Sequence, residues 1–131
     1  MSDEAPVRLV LDTSAVLAYA DGSIHVGEPM AEVLDEGARF GVPVLCLAEA
    51  SRLVDGSNAA GITLLARHAG CVVLPMLAEQ WQAIAAATVD LGRADLAVSL
   101  IEALRHGGYV LTGEPARYDP DGKGEAPVIA I

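Results

Sequence analysis

VRLVLDTSAVLAYA, residues 7–20, decides the fold of this chain. Val7 to Leu11 is a short apolar run, and its length and β-branched content fit a strand buried on both faces. Asp12 ends the run. Thr13 and Ser14 follow, and a second apolar segment opens at Ala15. The pattern predicts a strand that delivers a carboxylate at its carboxyl end, followed by a short helix over about Ala15–Tyr19 with Ser14 as its cap. In an open parallel sheet, ligands bind at that end of the strands.

Outward from there, the same alternation repeats. Asp21-Gly22-Ser23 breaks the first helix. A second is expected from Val26, with Pro29 in its first turn, where a missing N–H costs nothing, and Met30, Val33 and Leu34 as its apolar stripe. Val42–Leu47 reads as the second strand, with Pro43 among its first residues because proline removes a ladder hydrogen bond. Ala48–Val54 reads as a helix with Glu49 in its first turn. Another helix is expected from Asn58 to about His68, with Ile62, Leu65 and Ala66 turned inward. Cys71–Leu74 is the third strand. Leu77–Leu91 keeps 3.6-residue spacing through Leu77, Trp81, Ile84, Thr88 and Leu91, which assigns Trp81 to the core. Ala94–Arg105 follows as a helix with Leu96, Leu100, Ala103 and Leu104 as its stripe. Tyr109–Thr112 is the fourth strand and Val128–Ile131 the fifth, with a glycine- and proline-rich loop between them. Residues 1–6 form a polar tail.

Strands that are continuous apolar runs, separated by helices, predict a three-layer α/β/α sandwich around a central, mainly parallel sheet. The length of 131 residues fits a single domain with one core. Aromatic residues make up only 4% of a chain that is 53% hydrophobic, so that core must be aliphatic. Eight basic side chains against eighteen acidic ones give a formal charge of −10, which argues against a broad basic face wrapped by nucleic acid. A small site in which metal ions offset phosphate repulsion is compatible with it. Cys46 and Cys71 form no CxxC and read as buried free thiols. The acidic N-terminus carries no signal-peptide pattern, and no apolar run reaches transmembrane length, so the cytoplasm is the expected compartment and no membrane is implied.

Four acids hold comparable places in this architecture. Asp12 closes the first strand, Glu49 opens the helix after the second, Asp95 opens the helix before the fourth, and Glu114 lies just past the fourth. Gathered together they would repel one another unless a counter-ion joined them. Carboxylate oxygens suit Mg²⁺ or Mn²⁺. A metal there supports in-line hydrolysis of a phosphodiester, and two ions about 3.5–4 Å apart stabilise both attacking and leaving oxygens. Asp12 is the expected central ligand, with Asp95 beside it, Glu49 completing the site and Glu114 on a second ion or a metal-bound water. Ser14 and Thr112 are supporting hydroxyls. Each acid also has a plainer reading, as a solvated strand end, a first-turn acid favoured by the helix dipole, or a loop residue.

VLDTSAVLAYA, LAEASRL, GRADLAVSLIEAL and YVLTGEPARY, in that order, resemble the PIN-domain family. More narrowly they look like the ribonuclease toxins of bacterial type II toxin–antitoxin pairs. The family's first Asp corresponds to Asp12, its conserved Glu to Glu49 and its third acid to Asp95. Its later Thr-any-Asp stands here as Thr112-Gly113-Glu114, one methylene longer. The resemblance implies a Mg²⁺- or Mn²⁺-dependent endoribonuclease acting on single-stranded or loop RNA. It also implies a homodimer, and an antitoxin protein that blocks the acids.

Arg52, Arg93, Arg117 and Lys123 are candidate RNA contacts, with salt bridges or surface roles as the plainer alternative. Arg52 lies three residues after Glu49, on the same expected helix face. Tyr118 is expected to pack its loop onto the core. His25, His68 and His106 lack zinc spacing and are assigned no catalytic work. Two competing readings remain open. One is a catalytically weak or inactive PIN-like scaffold that acts as a binding or regulatory partner. The other is an unrelated α/β enzyme for small phosphoesters, although no glycine-rich phosphate loop supports nucleotide binding.

Overall fold

Five parallel strands in the order β3-β2-β1-β4-β5 carry the molecule, with helices on both faces. The computed structural model describes residues 5–131; Met1–Glu4, most of the expected tail, lie outside the described residues. The strands are β1 (Val7–Leu11), β2 (Arg39–Pro43), β3 (Cys71–Leu74), β4 (Tyr109–Thr112) and β5 (Val128–Ala130). The helices are α1 (Thr13–Ala20), α2 (Ile24–Asp35), α3 (Val44–Leu53), α4 (Ala59–Ala66), α5 (Trp81–Leu91) and α6 (Ala94–His106). The three-layer α/β/α expectation is met.

Side-chain alternation along the strands supplies both cores. Leu9, Leu11, Phe40, Val42 and Leu111 meet Val16, Val26, Met30, Ile62 and Leu65 on the face covered by α1, α2 and α4. Val10 and Val110 meet Leu91, Leu96, Ala103 and Tyr118 on the face covered by α5 and α6. The extreme N-terminal residues described are tied down rather than loose: Ala5 and Pro6 carbonyls accept from Arg39 Nε and N at 2.7 and 2.8 Å.

Several boundaries differ from the sequence expectation, each for a local reason. Asp12, not Ser14, caps α1, and the helix therefore starts at Thr13; Asp12 Oδ1 accepts from Ala15 N at 3.1 Å. Ser23 caps α2 from its own side chain, so that helix starts at Ile24 and Pro29 falls inside it, beyond the first turn. The second strand is RFGVP, not VPVLCL. Pro43 closes it, where no further ladder N–H is needed, and its backbone leads straight into α3. Glu49 consequently sits in the middle of α3, not in its first turn. A 3-10 turn at Ala78–Gln80 replaces the first turn of the expected long helix, and α5 begins at Trp81. Trp81 is 66% exposed, against the core assignment, and Leu104 is exposed as well. Ala66 is only half-buried, whereas Ile62 and Leu65 are buried as expected.

Cys46 and Cys71 are free, Cys46 buried and Cys71 partly so. Burial pushes the Cys46 thiol up to about 12 and the Cys71 thiol up to about 11, so both are inert thiols at neutral pH. Among the described residues no helix is long and apolar enough to cross a membrane.

Candidate functional site

The β1–α1 and β4 ends are stitched together by a short polar chain. Ser14 Oγ donates to Asp12 Oδ1 at 2.6 Å and accepts from Gly113 N at 2.8 Å. It also lies 3.4 Å from Thr112 Oγ1, which accepts from Glu114 N at 2.9 Å. Ser14 and Thr112 thus tie the loop that carries Glu114 to the loop that carries Asp12.

Asp12 is fully buried. Its other oxygen, Oδ2, accepts from Tyr118 Oη at 2.8 Å, across the chain from a 3-10 turn at Pro115–Tyr118. Burial, with the Asp12 charge beside it, holds the Tyr118 phenol well above its ordinary value, so it remains a donor. Three hydrogen bonds thus reach a carboxylate with about four acceptor positions. Tyr118 packs its loop onto the core as expected, and its hold on Asp12 is an addition that no local sequence signal announced.

Asp95 stands in the first turn of α6 and is buried. Arg93, just before that helix, grips it with Nε to Oδ1 at 3.0 Å and Nη2 to Oδ2 at 2.9 Å. The same guanidinium donates from Nη1 to Glu114 Oε1 at 3.2 Å and from Nη2 to Oε2 at 3.0 Å. Asp95 and Glu114, from different elements, therefore share one cation. Burial is the strongest single influence on Asp95 and opposes its ionisation, but the Arg93 hydrogen bonds and charge, with Thr13 and the backbone N–H, together outweigh it and hold the carboxyl below its ordinary 3.8. Thr13 Oγ1, buried beside them, stands near enough to favour that charge yet outside hydrogen-bond geometry with any partner.

Glu49 is joined to none of the other acids. Its Oε2 accepts from Arg52 Nη2 at 2.8 Å, the i,i+3 pair anticipated from sequence. It does line the same cleft, of about 610 Å³, with Thr13, Ser14, Arg52, Arg93, Asp95 and Glu114. Leu17, Leu45 and Leu53 give that cleft an apolar wall, which sequence reading had not singled out. Asp12, Arg117 and Lys123 are not among its lining residues. Arg117 Nε lies 4.0 Å from Glu114 Oε1 with most of its side chain in solvent, and Lys123 N donates to Asp119 Oδ1 at 2.9 Å in the exposed loop before β5.

Among the described residues no three His, Cys, Asp or Glu side chains stand in an arrangement that would hold a metal ion. The donors themselves are all hard oxygens, which suit Mg²⁺ or Mn²⁺. Asp95 and Glu114 already converge on a positive charge. The donor set fits a hard cation in chemistry, and Arg93 holds the position between two of its carboxylates.

The Asp95 shift has a pH consequence. A folded pKa below 3.8 means that the pair stabilises the fold above 3.8 and that this contribution is lost as pH falls through the lower folded value. Denaturant midpoints measured downward from neutral pH should show wild type ahead of Asp95→Asn, with the gap closing below 3.8. A gap that stays constant with pH contradicts the assignment.

Neither a scan against models of known protein families nor a search of curated proteins finds a match to this chain.

Proposed function

We propose that the cleft hydrolyses RNA phosphodiester bonds with a bound Mg²⁺ or Mn²⁺, as the toxin of a toxin–antitoxin pair. The observation that carries the reading is the convergence of Asp95 and Glu114, from the start of α6 and the end of β4, on a single positive charge. Carboxylates brought that close at the carboxyl edge of a parallel sheet need a cation, and this edge is where such sheets bind ligands. The ribonuclease class, the antitoxin and the homodimer come from the resemblance of the four motifs to the PIN-domain family.

Asp95 and Glu114 are the carboxylates that would hold the ion; Glu49 lines the same cleft but is paired with Arg52, and the buried Asp12 does not line it. When bound, such an ion lowers the pKa of a water and polarises a phosphoryl oxygen. The chain's own contributions are positional. Tyr118 and Ser14 hold the Asp12 carboxylate in one orientation, and Ser14 and Thr112 fix the backbone from which Glu114 projects. Arg52, exposed on the cleft wall, is a phosphate contact from α3. Leu17, Leu45 and Leu53 offer an apolar surface to an unpaired base.

A mixed set of labelled single-stranded and hairpin RNAs, incubated with partner-free protein in Mg²⁺, Mn²⁺ or chelator, tests this. Cleavage should require metal and disappear in Asp95→Asn. Equal cleavage in chelator, or by the variant, overturns the reading. One observation favours the scaffold alternative: Arg93 and Arg52 between them already pair with all three cleft-lining acids. A scaffold would leave millimolar Mn²⁺ unbound.

A further inference from the structure

Arg93 occupies an unusual place for a cation. It precedes the first turn of α6, where the exposed N–H groups and the helix dipole oppose positive charge, and it makes no side-chain cap to that helix. What holds it is the fork of four hydrogen bonds to Asp95 and Glu114. Those bonds engage both oxygens of each carboxylate, so any other cation that uses these oxygens must take them from the guanidinium. Yet the Arg93 side chain remains 38% exposed, against 8% for Asp95. The Arg93 side chain lines the cleft, and the Asp95 carboxylate it grips is buried.

We propose that Arg93 is a built-in counter-ion that closes the site, exchanging with a divalent cation for the oxygens of Asp95 and Glu114. The inference rests on the cation-site reading above and adds a regulatory step to it. In the closed form both carboxylates are paired with the one guanidinium and the fold is stabilised without metal. In the open form the guanidinium swings into the cleft and the oxygens pass to the incoming ion. Metal affinity is then reduced by the fraction of molecules in which Arg93 is engaged. A cleft that is closed nine-tenths of the time would bind its ion about tenfold more weakly than the open site alone.

The test is Mn²⁺ binding, followed by loss of the free-ion EPR signal, in wild type, Arg93→Gln and Arg93→Lys. Arg93→Gln should bind about tenfold more tightly than wild type, because the competing charge is gone. Arg93→Lys should fall between them, since an ammonium lacks the planar fork that spans two carboxylates. Without metal, Arg93→Gln should melt below wild type, and Mn²⁺ should raise its melting temperature by the larger increment. Equal or weaker Mn²⁺ affinity in both variants, with circular dichroism unchanged, overturns the clamp while leaving the cation site standing. Absence of Mn²⁺ binding in all three proteins overturns the cation site and the clamp together. Should Arg93→Gln fail to fold, the comparison of Arg93→Lys with wild type decides alone.

Discussion

Asp12→Ala should cost the fold about 2–4 kcal/mol and abolish RNA cleavage, whereas Asp12→Asn should abolish cleavage and leave the fold nearly intact. The alanine variant loses the N-cap of α1, worth about 1 kcal/mol. It also strands the Tyr118 hydroxyl in the core without an acceptor, worth roughly 1–3 kcal/mol. Thermal melting should fall by about 10 °C. Asparagine keeps an oxygen for Ala15 N and Ser14 Oγ, and its amide can donate to Tyr118 Oη in place of accepting. What asparagine cannot supply is the negative charge. A loss of about a hundredfold or more in metal-dependent cleavage by a folded Asp12→Asn protein therefore separates the chemical role from the structural one. Full activity in Asp12→Asn would reduce Asp12 to a helix cap.

How far the sequence could be read follows from which forces were local. β1, β3 and β4 were legible because each is an apolar run bounded by its own breakers, and a parallel sheet demands such runs. β2 was misplaced because Val42 to Leu47 is apolar throughout; only the packing of Phe40 beneath α1 and α2 distinguishes RFGVP as the strand. An apolar run of that length is compatible with strand or helix, and proline at its second position was the one punctuation mark available. Trp81 was misread because α5 lies against α6 at the outside of its layer. Along the expected periodic positions Leu91 is buried, Leu77, Ile84 and Thr88 are half-buried, and Trp81, at the helix start, is left in solvent.

The site divides in the same way. The order of acids along the chain, and the supporting hydroxyls Ser14 and Thr112, could be read from their places relative to the strands. The arginine pairing could not. Arg52 lies three residues from Glu49 on one helix, so local spacing announces that ion pair. Arg93 pairs with Asp95 two residues on, but its second partner, Glu114, is reached only because α6 runs back along the sheet to β4. Tyr118 reaches Asp12 by the same long closure, between residues 106 positions apart. These contacts are products of topology, and they decide whether the carboxylates are open or engaged.

Topology also sets the second large effect, expected at Gly108→Ala. Gly108 stands just before β4, where the chain turns out of α6 and pairs with β1 at Leu9 and Tyr109. A Cβ at this position would lie 2.5 Å from the Arg8 carbonyl oxygen and 2.7 Å from its carbon. Both are backbone atoms of the central strand and cannot rotate aside, so β4 must shift relative to β1. Overpacking of this kind costs about 1–3 kcal/mol where side chains can adjust, and more where only backbone can move. Gly70→Ala is the control. Its Cβ would meet the end of the Leu34 side chain, which can change rotamer, so its loss should be smaller. Because β4 carries Thr112 and the backbone that aims Glu114, any folded Gly108→Ala protein should also bind Mn²⁺ more weakly than Gly70→Ala at matched stability. Equal melting temperatures for the two variants would mean that the β1–β4 contact at Arg8 is looser than the geometry describes. Equal Mn²⁺ affinity in a destabilised Gly108→Ala would mean that Glu114 is positioned by Arg93 rather than by its strand.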